Sequence, residues 1–326
     1  KHGADILNRV LARLTPQSSP VLFQGIVDDA AIIQWSQAKV VTSCDGFRAM
    51  IDDPYRFGRI AAHHALNDLF AMGAAPSYAL AIVTVPLMAD VLMEEDLFQV
   101  MSGAIEVLNE HGAVLAGGHS GEGAELTIGF AVTGGLTMNA LSKGGLVAGQ
   151  GLILTKAIGT GAILAGAMQG KTRADDLMAT IDAMDTSNGR AADILRDHGA
   201  TACTDVTGFG LIGHLGEMLR ASSMGVRLNA ADVPKLPSAQ ELLAAGVQSS
   251  LQANNEQALL DFEIRGGSPA SPSVRLLADP QTAGGLLAGI PADACDDCVE
   301  ALRADGYADA VVIGSVQTEA RVVEGV

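Results

Sequence analysis

The chain has 326 residues, which is long enough for two domains that each have a core. Its 20 Lys and Arg against 37 Asp and Glu give a net charge of −17, which argues against a nucleic-acid partner, because phosphate contacts need clustered cations. No uninterrupted apolar run approaches ~20 residues, so no membrane span is expected. Because the chain is strongly acidic, an anionic ligand would need metal ions or helix N-termini to supply positive potential.

Four cysteines are few for this length and predict a reducing, cytoplasmic setting. Cys295 and Cys298 form a CxxC inside an amphipathic helical pattern, without a second cysteine pair to complete a zinc site. The pattern favours two thiols on a helix face over a metal or redox site. The sequence starts at Lys1 without a methionine, which indicates a trimmed chain, and no secretory signal is recognisable.

The first half is predicted to alternate helices and strands. Strand patterns lie in VLFQGIV, AKVVTSCDGF and SYALAIVTV, and helical periodicity occupies 4–14, 54–72 and 90–111. The second helix has Asp53 as its N-cap, Pro54 in its first turn and Gly73 at its end. The stretch that follows residue 112, AVLAGGHSGEGAELTIGFAVTGG, is predicted as strand, glycine-rich loop and strand.

The second half is predicted to follow a domain boundary in NALSKGG, which gives domains of 1–142 and 143–326. Its predicted strands are GLILTK, GVRL, GGLLAGI and DAVVIGSV, and its predicted helices lie near 174–183, 187–197, 211–222 and 238–246. FEIRGGSPASPSVR is predicted as a polar loop. Strands and helices mix without a strict βαβ rhythm, which favours two α+β domains over one doubly wound sheet.

Four aspartates stand out by position: Asp29, Asp45, Asp68 and Asp205. Each has a structural alternative, such as a turn, a strand end or a helix cap. Asp68 is the hardest to explain in this way, because its helical neighbours are apolar and a buried Asp needs a partner. Together, the four acids suggest a hard-cation site for Mg²⁺-dependent phosphoryl transfer, in which metal ions bridge an acidic protein and an anionic nucleotide.

The glycine-rich stretches have two interpretations each. Amides of AGGHSGEG could cradle phosphate oxygens, and GTGAILAG is either an anion-binding helix start or a tight turn. Neither a P-loop nor a Rossmann fingerprint is present. His119 and His214 could be ligands or acid–base groups, but a structural role is favoured for a histidine beside glycines. On spacing alone, Lys1 is a frayed end.

Five motifs occur along the chain in the following order: GRIAAHHALNDLFAMGAAP, LAGGHS, LTKAIGTG, TACTDVTGFGLIGHLGEM and DPQTAGGLLAGIP. Together they resemble selenophosphate synthetase (selenide, water dikinase), of the AIR synthetase-like superfamily that also includes thiamine-monophosphate kinase and a hydrogenase-maturation dehydratase. The resemblance implies an α+β, two-domain AIR synthetase-like fold. The N-terminal domain would form a β-barrel across a homodimer, and the C-terminal domain would be an α/β sandwich-like domain.

The same resemblance implies that ATP, selenide and water become selenophosphate, AMP and phosphate. It assigns Mg²⁺ to four ligands: Asp29, Asp45, Asp68 and Asp205. It assigns the nucleotide to ten residues: Lys1, Ile26, Val27, Asp28, Asp45, Asn67, Asp68, Gly118, His119 and Ser120. Residues 118–120 would form a loop that reaches in from the partner chain, and Lys1 would be the catalytic lysine rather than a frayed end.

Several positions depart from the family pattern. The family's nucleophilic Cys or selenocysteine would lie upstream of Lys1, and SSLQANN replaces a loop that contains GGT in many members. SSLQ and CDGF look like a variant fused behind a flavin-dependent NADH dehydrogenase-like domain. Two alternatives to the synthetase therefore stay open: a related ATP-dependent kinase or ligase, and a non-catalytic nucleotide-binding module attached to a redox domain.

Overall fold

The structure of the chain, a computed structural model, describes residues 22–24, 30–35, 38–136 and 139–325. The helix predicted over 4–14 lies outside these residues, as do five predicted site residues: Lys1, Ile26, Val27, Asp28 and Asp29. The described residues divide into two compact units. The N-terminal unit holds the described residues up to Ala140 together with Asp185–Gly189, and the C-terminal unit holds Leu141–Met184 and the residues from Arg190 onward.

The N-terminal unit is one six-stranded sheet with two long helices. The strands are β1 (Leu22–Gln24), β2 (Ala31–Trp35), β3 (Ala38–Arg48), β4 (Ala75–Pro86), β5 (Val114–Gly123) and β6 (Thr127–Gly135), and the helices are α1 (Pro54–Ala71) and α2 (Asp90–Glu110). The strand order is β1-β2-β3-β6-β4-β5. All neighbours pair antiparallel except β4 and β5, which are parallel.

Helix α1 begins and ends close to where its sequence predicts. The Asp53 side chain accepts a hydrogen bond from the Arg56 amide, Pro54 occupies the first turn, and Gly73 adopts φ 72° after the last turn. A Cβ at Gly58 or Gly103 would meet a backbone carbonyl of the other helix. The two glycines therefore let α1 and α2 pack backbone against backbone.

The two faces of the N-terminal sheet differ sharply in exposure. One face of β4 is buried and holds Ala79, Ala81 and Val83, whereas Leu80 and Ile82 on the other face are 45% and 61% exposed. Within one chain this is an open sheet among the described residues. The barrel across a homodimer stays a prediction, because a single chain does not test it.

Residues 185–189 lie well after the predicted domain boundary in sequence, yet they belong to the N-terminal unit. Arg59 Nε donates to both carboxylate oxygens of Asp185, at 2.8 and 3.0 Å, and Ser187 Oγ lies 2.9 Å from His111 Nε2. Burial alone would raise the pKa of Asp185, but hydrogen bonds from His63 and Arg59 outweigh it and hold that pKa below its usual value. The predicted single boundary at residue 142 does not anticipate this return of the chain, and it stays a prediction.

The C-terminal unit is a seven-stranded sheet covered by shorter helices. Its strands are β7 (Gly151–Leu154), β8 (Ala202–Asp205), β9 (Gly225–Asn229), β10 (Glu263–Ile264), β11 (Leu286–Ile290), β12 (Val311–Gln317) and β13 (Arg321–Glu324). Its α-helices are α3 (Thr160–Met168), α4 (Ala174–Met184), α5 (Gly189–Asp197), α6 (Gly210–Ser222), α7 (Ala239–Ala244), α8 (Gln252–Asn255), α9 (Pro272–Leu276) and α10 (Cys295–Ala304). The strand order is β10-β13-β9-β12-β7-β11-β8, and its apolar core includes Leu152, Leu154, Ile212 and Leu287.

One sequence expectation for the C-terminal unit differs from the structure. FEIRGGSPASPSVR is not wholly a loop, since it contains strand β10 and helix α9. Pro272 occupies the first turn of α9, where its missing N–H costs no helical hydrogen bond. Among the helices that the structure describes, none combines the length and the apolar character needed to cross a membrane.

Candidate nucleotide and metal site

Strand β3 and helix α1 each carry one of the predicted acids, Asp45 and Asp68, and the two elements contact each other. The Ser43 hydroxyl donates to the Asp68 carboxylate, and the Phe47 ring lies 4.6 Å from the His64 ring, measured between centroids. Because side chains alternate along a strand and positions four apart share a helix face, these contacts align β3 against one face of α1. Asp45 lies between Ser43 and Phe47 in β3, and the alternation of side chains places it on the same face of the strand, the face that meets α1.

Asn67 precedes Asp68 in α1 and is 1% exposed. Neither atom of its side-chain amide has a hydrogen-bond partner among the described residues. A buried amide without partners is costly, and such a group is a feature of binding sites. Asn67 therefore has a buried donor and a buried acceptor that the described residues do not engage, one position before Asp68 in α1.

The donor set beside α1 suits a magnesium ion. Mg²⁺ is usually held by one or two carboxylates together with substrate phosphates, and Asp45 and Asp68 provide two carboxylates. No group of three or more His, Cys, Asp or Glu side chains that could hold a metal occurs among the described residues. Of the other two predicted ligands, Asp29 lies outside those residues and Asp205 belongs to the C-terminal unit.

The prediction of a glycine-rich loop over residues 116–123 is wrong, because these residues belong to the edge strand β5. Gly118, His119 and Ser120 pair in register with Ala81, Ile82 and Val83 of β4. A Cβ at Gly118 would meet the Ala81 backbone, so glycine allows this close pairing. The amides of 118–120 therefore lie on a sheet edge rather than in a flexible cradle.

A cavity of ≈ 790 Å³ borders β3, β4, β5 and β6, and its lining includes Asp45, Gly118 and His119. This volume is in the range of small-molecule pockets, about 300–1,000 Å³. Asn67 and Asp68 are not part of the lining. Of the predicted nucleotide residues that the structure describes, Asp45, Gly118 and His119 line this cavity, whereas Asn67 and Asp68 lie on α1.

Asp205 is the last residue of β8 and is 2% exposed. The loop that follows it is held on several sides. The Thr207 amide donates to His214 Nε2 at 3.1 Å, the Gln281 amide donates to the Thr207 carbonyl at 2.9 Å, and Asn255 Nδ2 donates to the Gly208 carbonyl at 2.9 Å. His214 is therefore a structural acceptor, as expected, and it fixes the backbone next to Asp205.

Side chains of the DPQTAGG motif cap the helix that begins in GTGAILAG. Gln281 Oε1 accepts from the amides of Gly159 and Thr160, and Asp279 Oδ2 accepts from the Gly161 amide at 3.0 Å. A carboxylate at a helix N-terminus complements the positive end of the helix dipole. This helix start thus binds the protein's own Asp279, and the anion-site interpretation of GTGAILAG is not needed.

The burial of Asp279 predicts a pH-dependent stability. Burial raises its pKa to about 7, against an ordinary value of 3.8, although hydrogen bonds from Gln281, Ala162 and Gly161 act in the opposite direction. Because the folded state binds the proton more tightly, the contribution is fully present below the unfolded pKa and is lost as pH rises through the folded pKa. We expect the free energy of unfolding to fall by roughly 3 kcal/mol between about pH 5 and about pH 8 from this group.

Urea unfolding at those two pH values measures this effect. Asp279→Asn keeps an oxygen that can accept from Gly161 but cannot titrate, so its pH-dependent loss should be smaller than that of the wild type by the stated amount. Asp175→Asn, which changes an exposed acid of α4, is the control and should behave like the wild type. An equal loss of stability in the wild type and Asp279→Asn would contradict the raised pKa.

The CxxC thiols lie on helix α10, and both are buried. Burial, with a smaller effect of Cys295, raises the pKa of Cys298 to about 11. Since the thiolate is the reactive and metal-binding form, a raised pKa makes such a thiol inert at neutral pH. The structure agrees with the interpretation of Cys295 and Cys298 as helix-face thiols.

Sequence reasoning missed three contributors to these sites: Ser43, Asn255 and Asp279. Ser43 carried one available signal, since strand alternation places it on the same face as Asp45. Asn255 and Asp279 act on segments 47 and 118 residues away, and no local pattern encodes such contacts.

Comparison with known proteins shows which family the chain belongs to. The chain matches the models for AIR synthase related protein, N-terminal domain, over residues 27–136, and C-terminal domain, over 147–326. It is 38% identical to selenide, water dikinase of Pelobacter propionicus, over 96% of this chain and 90% of that protein. The chain belongs to the selenide, water dikinase family. The dikinase of Paraburkholderia xenovorans is 37% identical over 98% of this chain and 93% of its own length.

Solved structures show that this dikinase-family chain shares its fold with more distantly related proteins. A HypE–HypF complex matches with a TM-score of 0.74 at 17% identity, covering 98% of this chain and 96% of that one. AaThiL complexed with AMPPCP and TMP matches with a TM-score of 0.69 at 16% identity, covering 99% and 94%. The expected two-domain AIR synthetase-like α+β fold is therefore confirmed.

Proposed function

We propose that the chain is a selenide, water dikinase, which converts ATP, selenide and water into selenophosphate, AMP and phosphate. The observation that carries the proposal is identity of 38% and 37% to two dikinases across 96% and 98% of the chain. The carboxylates of Asp45 and Asp68 and the buried amide of Asn67 support it, because they offer the oxygen ligands and the hydrogen bonds that a metal–polyphosphate complex needs.

We infer that Mg²⁺ is held by Asp45 and Asp68, joined by Asp29 and Asp205. When bound, the ion neutralises charge on the transferring phosphoryl groups. The chain's own part is to hold the polyphosphate in one orientation: the carboxylates fix the cation, and Asn67 donates to a phosphate oxygen. Such positioning is the main contribution of protein groups to phosphoryl transfer.

The remaining contacts to ATP are carried over from the family by motif. We propose that the nucleotide meets Lys1, Ile26, Val27 and Asp28 on one side and Gly118, His119 and Ser120 on the other. Lys1 would place its ammonium group at the reacting phosphates as the catalytic lysine. A fixed cation stabilises the charge that develops in the transition state.

We propose that the chain forms a homodimer through the uncovered face of the N-terminal sheet. Leu80 and Ile82 are large apolar residues exposed on that face, and Tyr78 is exposed nearby. Contiguous exposed apolar surface marks an interaction site. A second copy seated there would cover the cavity beside His119 and let strand β5 contribute to the partner's nucleotide site.

Product analysis separates the proposal from its alternatives. With ATP, Mg²⁺ and selenide, the full-length protein should release AMP and phosphate in equal amounts, and chromatography of the nucleotides measures this ratio. ADP as the main product would indicate a related kinase, and unchanged bound ATP would indicate a non-catalytic module. A cytoplasmic location and an attached redox domain stay predictions from the sequence.

A further inference from the structure

The hydroxyl of Ser43 is aimed at the Asp68 carboxylate, which belongs to the proposed metal site. We propose that Ser43 is a positioning residue for metal binding: its hydrogen bond fixes the orientation in which the Asp68 carboxylate meets the cation. This inference rests on the proposed function, since it takes Asp68 to be a ligand of Mg²⁺. Nothing in the family pattern quoted above assigns a role to Ser43.

The contact joins two rigid elements. Ser43 lies inside the long strand β3, whose pairing with β6 runs without interruption from Val40 to Arg48. Asp68 lies in the last two turns of α1, where buried neighbours hold the helix in place. Because both backbones are fixed, the hydroxyl selects one rotamer of the carboxylate rather than following its motion.

Because side chains alternate along β3, the neighbouring hydroxyls of Thr42 and Ser43 have different hydrogen-bond partners. Thr42, the preceding residue, uses its hydroxyl on β6, where it donates to the Val132 carbonyl at 3.0 Å and lies 3.2 Å from Thr133 Oγ1. That contact ties strand to strand. Ser43 instead points its hydroxyl at an acid on the neighbouring helix, next to Asp45.

The chemistry of the pair fits a ligand and its supporting donor. A hydroxyl has one proton to give, so the contact with Ser43 engages one of the two carboxylate oxygens of Asp68. Partners of this kind orient metal-binding carboxylates, and their loss typically costs about 10–100-fold in metal affinity or activity. Without Ser43, the Asp68 carboxylate would lose the hydrogen bond that fixes this oxygen, and its orientation toward the cation would be less well defined.

The test measures Mn²⁺ as a spectroscopic substitute for Mg²⁺, by electron paramagnetic resonance titration of the full-length protein without nucleotide. Ser43→Ala should weaken Mn²⁺ binding by about 10–100-fold. Ser43→Thr, which restores the hydroxyl, should stay close to the wild type. Thr42→Val, the matched control on the opposite face of β3, should bind Mn²⁺ as the wild type does.

A double-mutant cycle shows whether Ser43 acts through Asp68. In an Asp68→Ala background, which removes the acceptor of the Ser43 hydroxyl, Ser43→Ala should cause no further loss of Mn²⁺ affinity, because interacting residues are non-additive. Additive losses would mean that Ser43 meets the metal directly and would overturn the positioning role.

The outcomes also separate this inference from the proposed function. In turnover assays, Ser43→Ala should raise the Mg²⁺ concentration needed for half-maximal rate more than it lowers the rate at saturating Mg²⁺. Wild-type Mn²⁺ affinity in Ser43→Ala would overturn the inference and leave the dikinase proposal standing. A wild-type protein that makes selenophosphate but binds no Mn²⁺ would overturn the inference and the metal assignment together.

Discussion

Asp68→Asn is expected to abolish Mg²⁺-dependent ATP turnover while the fold stays intact. The amide replaces a carboxylate of nearly the same shape, and its oxygen can still accept from Ser43, so packing around α1 is preserved. The negative charge that attracts the cation is lost. Removing one precisely placed electrostatic group from an active site costs about 10²–10³-fold in rate, and we expect a loss of at least this size.

The measurement is the rate of AMP release at saturating ATP, with thermal unfolding and circular dichroism to verify the fold. Asp90→Asn is the matched control, since it removes an exposed acid from the first turn of α2 in the same unit. It should turn over ATP at the wild-type rate. Wild-type turnover in Asp68→Asn would remove Asp68 from the metal site.

Ile82→Glu is expected to break the proposed homodimer and reduce turnover with it. Ile82 is 61% exposed in the single chain, so a charge there costs the isolated fold little. In a dimer that buries this face, the same charge would be left without a partner. Uncompensated buried charges cost about 3–5 kcal/mol, which weakens association by at least about 10²-fold.

Light scattering at several protein concentrations measures the dimer, and AMP release measures the consequence. Turnover should fall as the dimer dissociates, because residues 118–120 would no longer reach the partner's nucleotide. Leu260→Glu is the control, since it places the same charge on a residue that is 80% exposed in the C-terminal unit. A dimeric and fully active Ile82→Glu protein would show that the dimer forms through another surface.

The sequence predicted helix α1 well, because the residues that begin and end this helix lie within or next to the helix itself. Asp53, Pro54 and Gly73 mark both ends of α1 by chemistry that acts within one turn. The apolar neighbours of Asp68 indicated a buried helix face with one acid in it. Burial of Asn67 follows from the same face, and its missing partners point to a ligand.

Long-range contacts account for what could not be predicted. The AGGHSGEG segment has the composition of a loop, yet pairing with β4 makes it strand β5, because the glycines permit a close approach that side chains would block. Asp279 could not be predicted as a helix cap, since the Gly161 amide that it accepts from at the start of α3 is 118 residues away in sequence. The return of residues 185–189 to the N-terminal unit depends on Arg59, which no local pattern connects to Asp185.

The motifs that mark the family most specifically have largely structural contacts in this chain. TDVTGFGLIGH is held by His214, and Asn255 donates to its Gly208 carbonyl. DPQTAGG closes the start of α3 through Gln281 and Asp279. The contacts of His214, Asn255 and the Gln281 amide fix the backbone that follows Asp205, whereas Asp279 fixes the start of α3.

Phosphorus NMR of the full-length protein with ATP, Mg²⁺ and selenide tests the dikinase proposal most directly. The account predicts a selenophosphate resonance that grows with those of AMP and phosphate and disappears when selenide or Mg²⁺ is left out. ATP consumption to ADP without a phosphorus–selenium species, or no consumption of ATP at all, would contradict it.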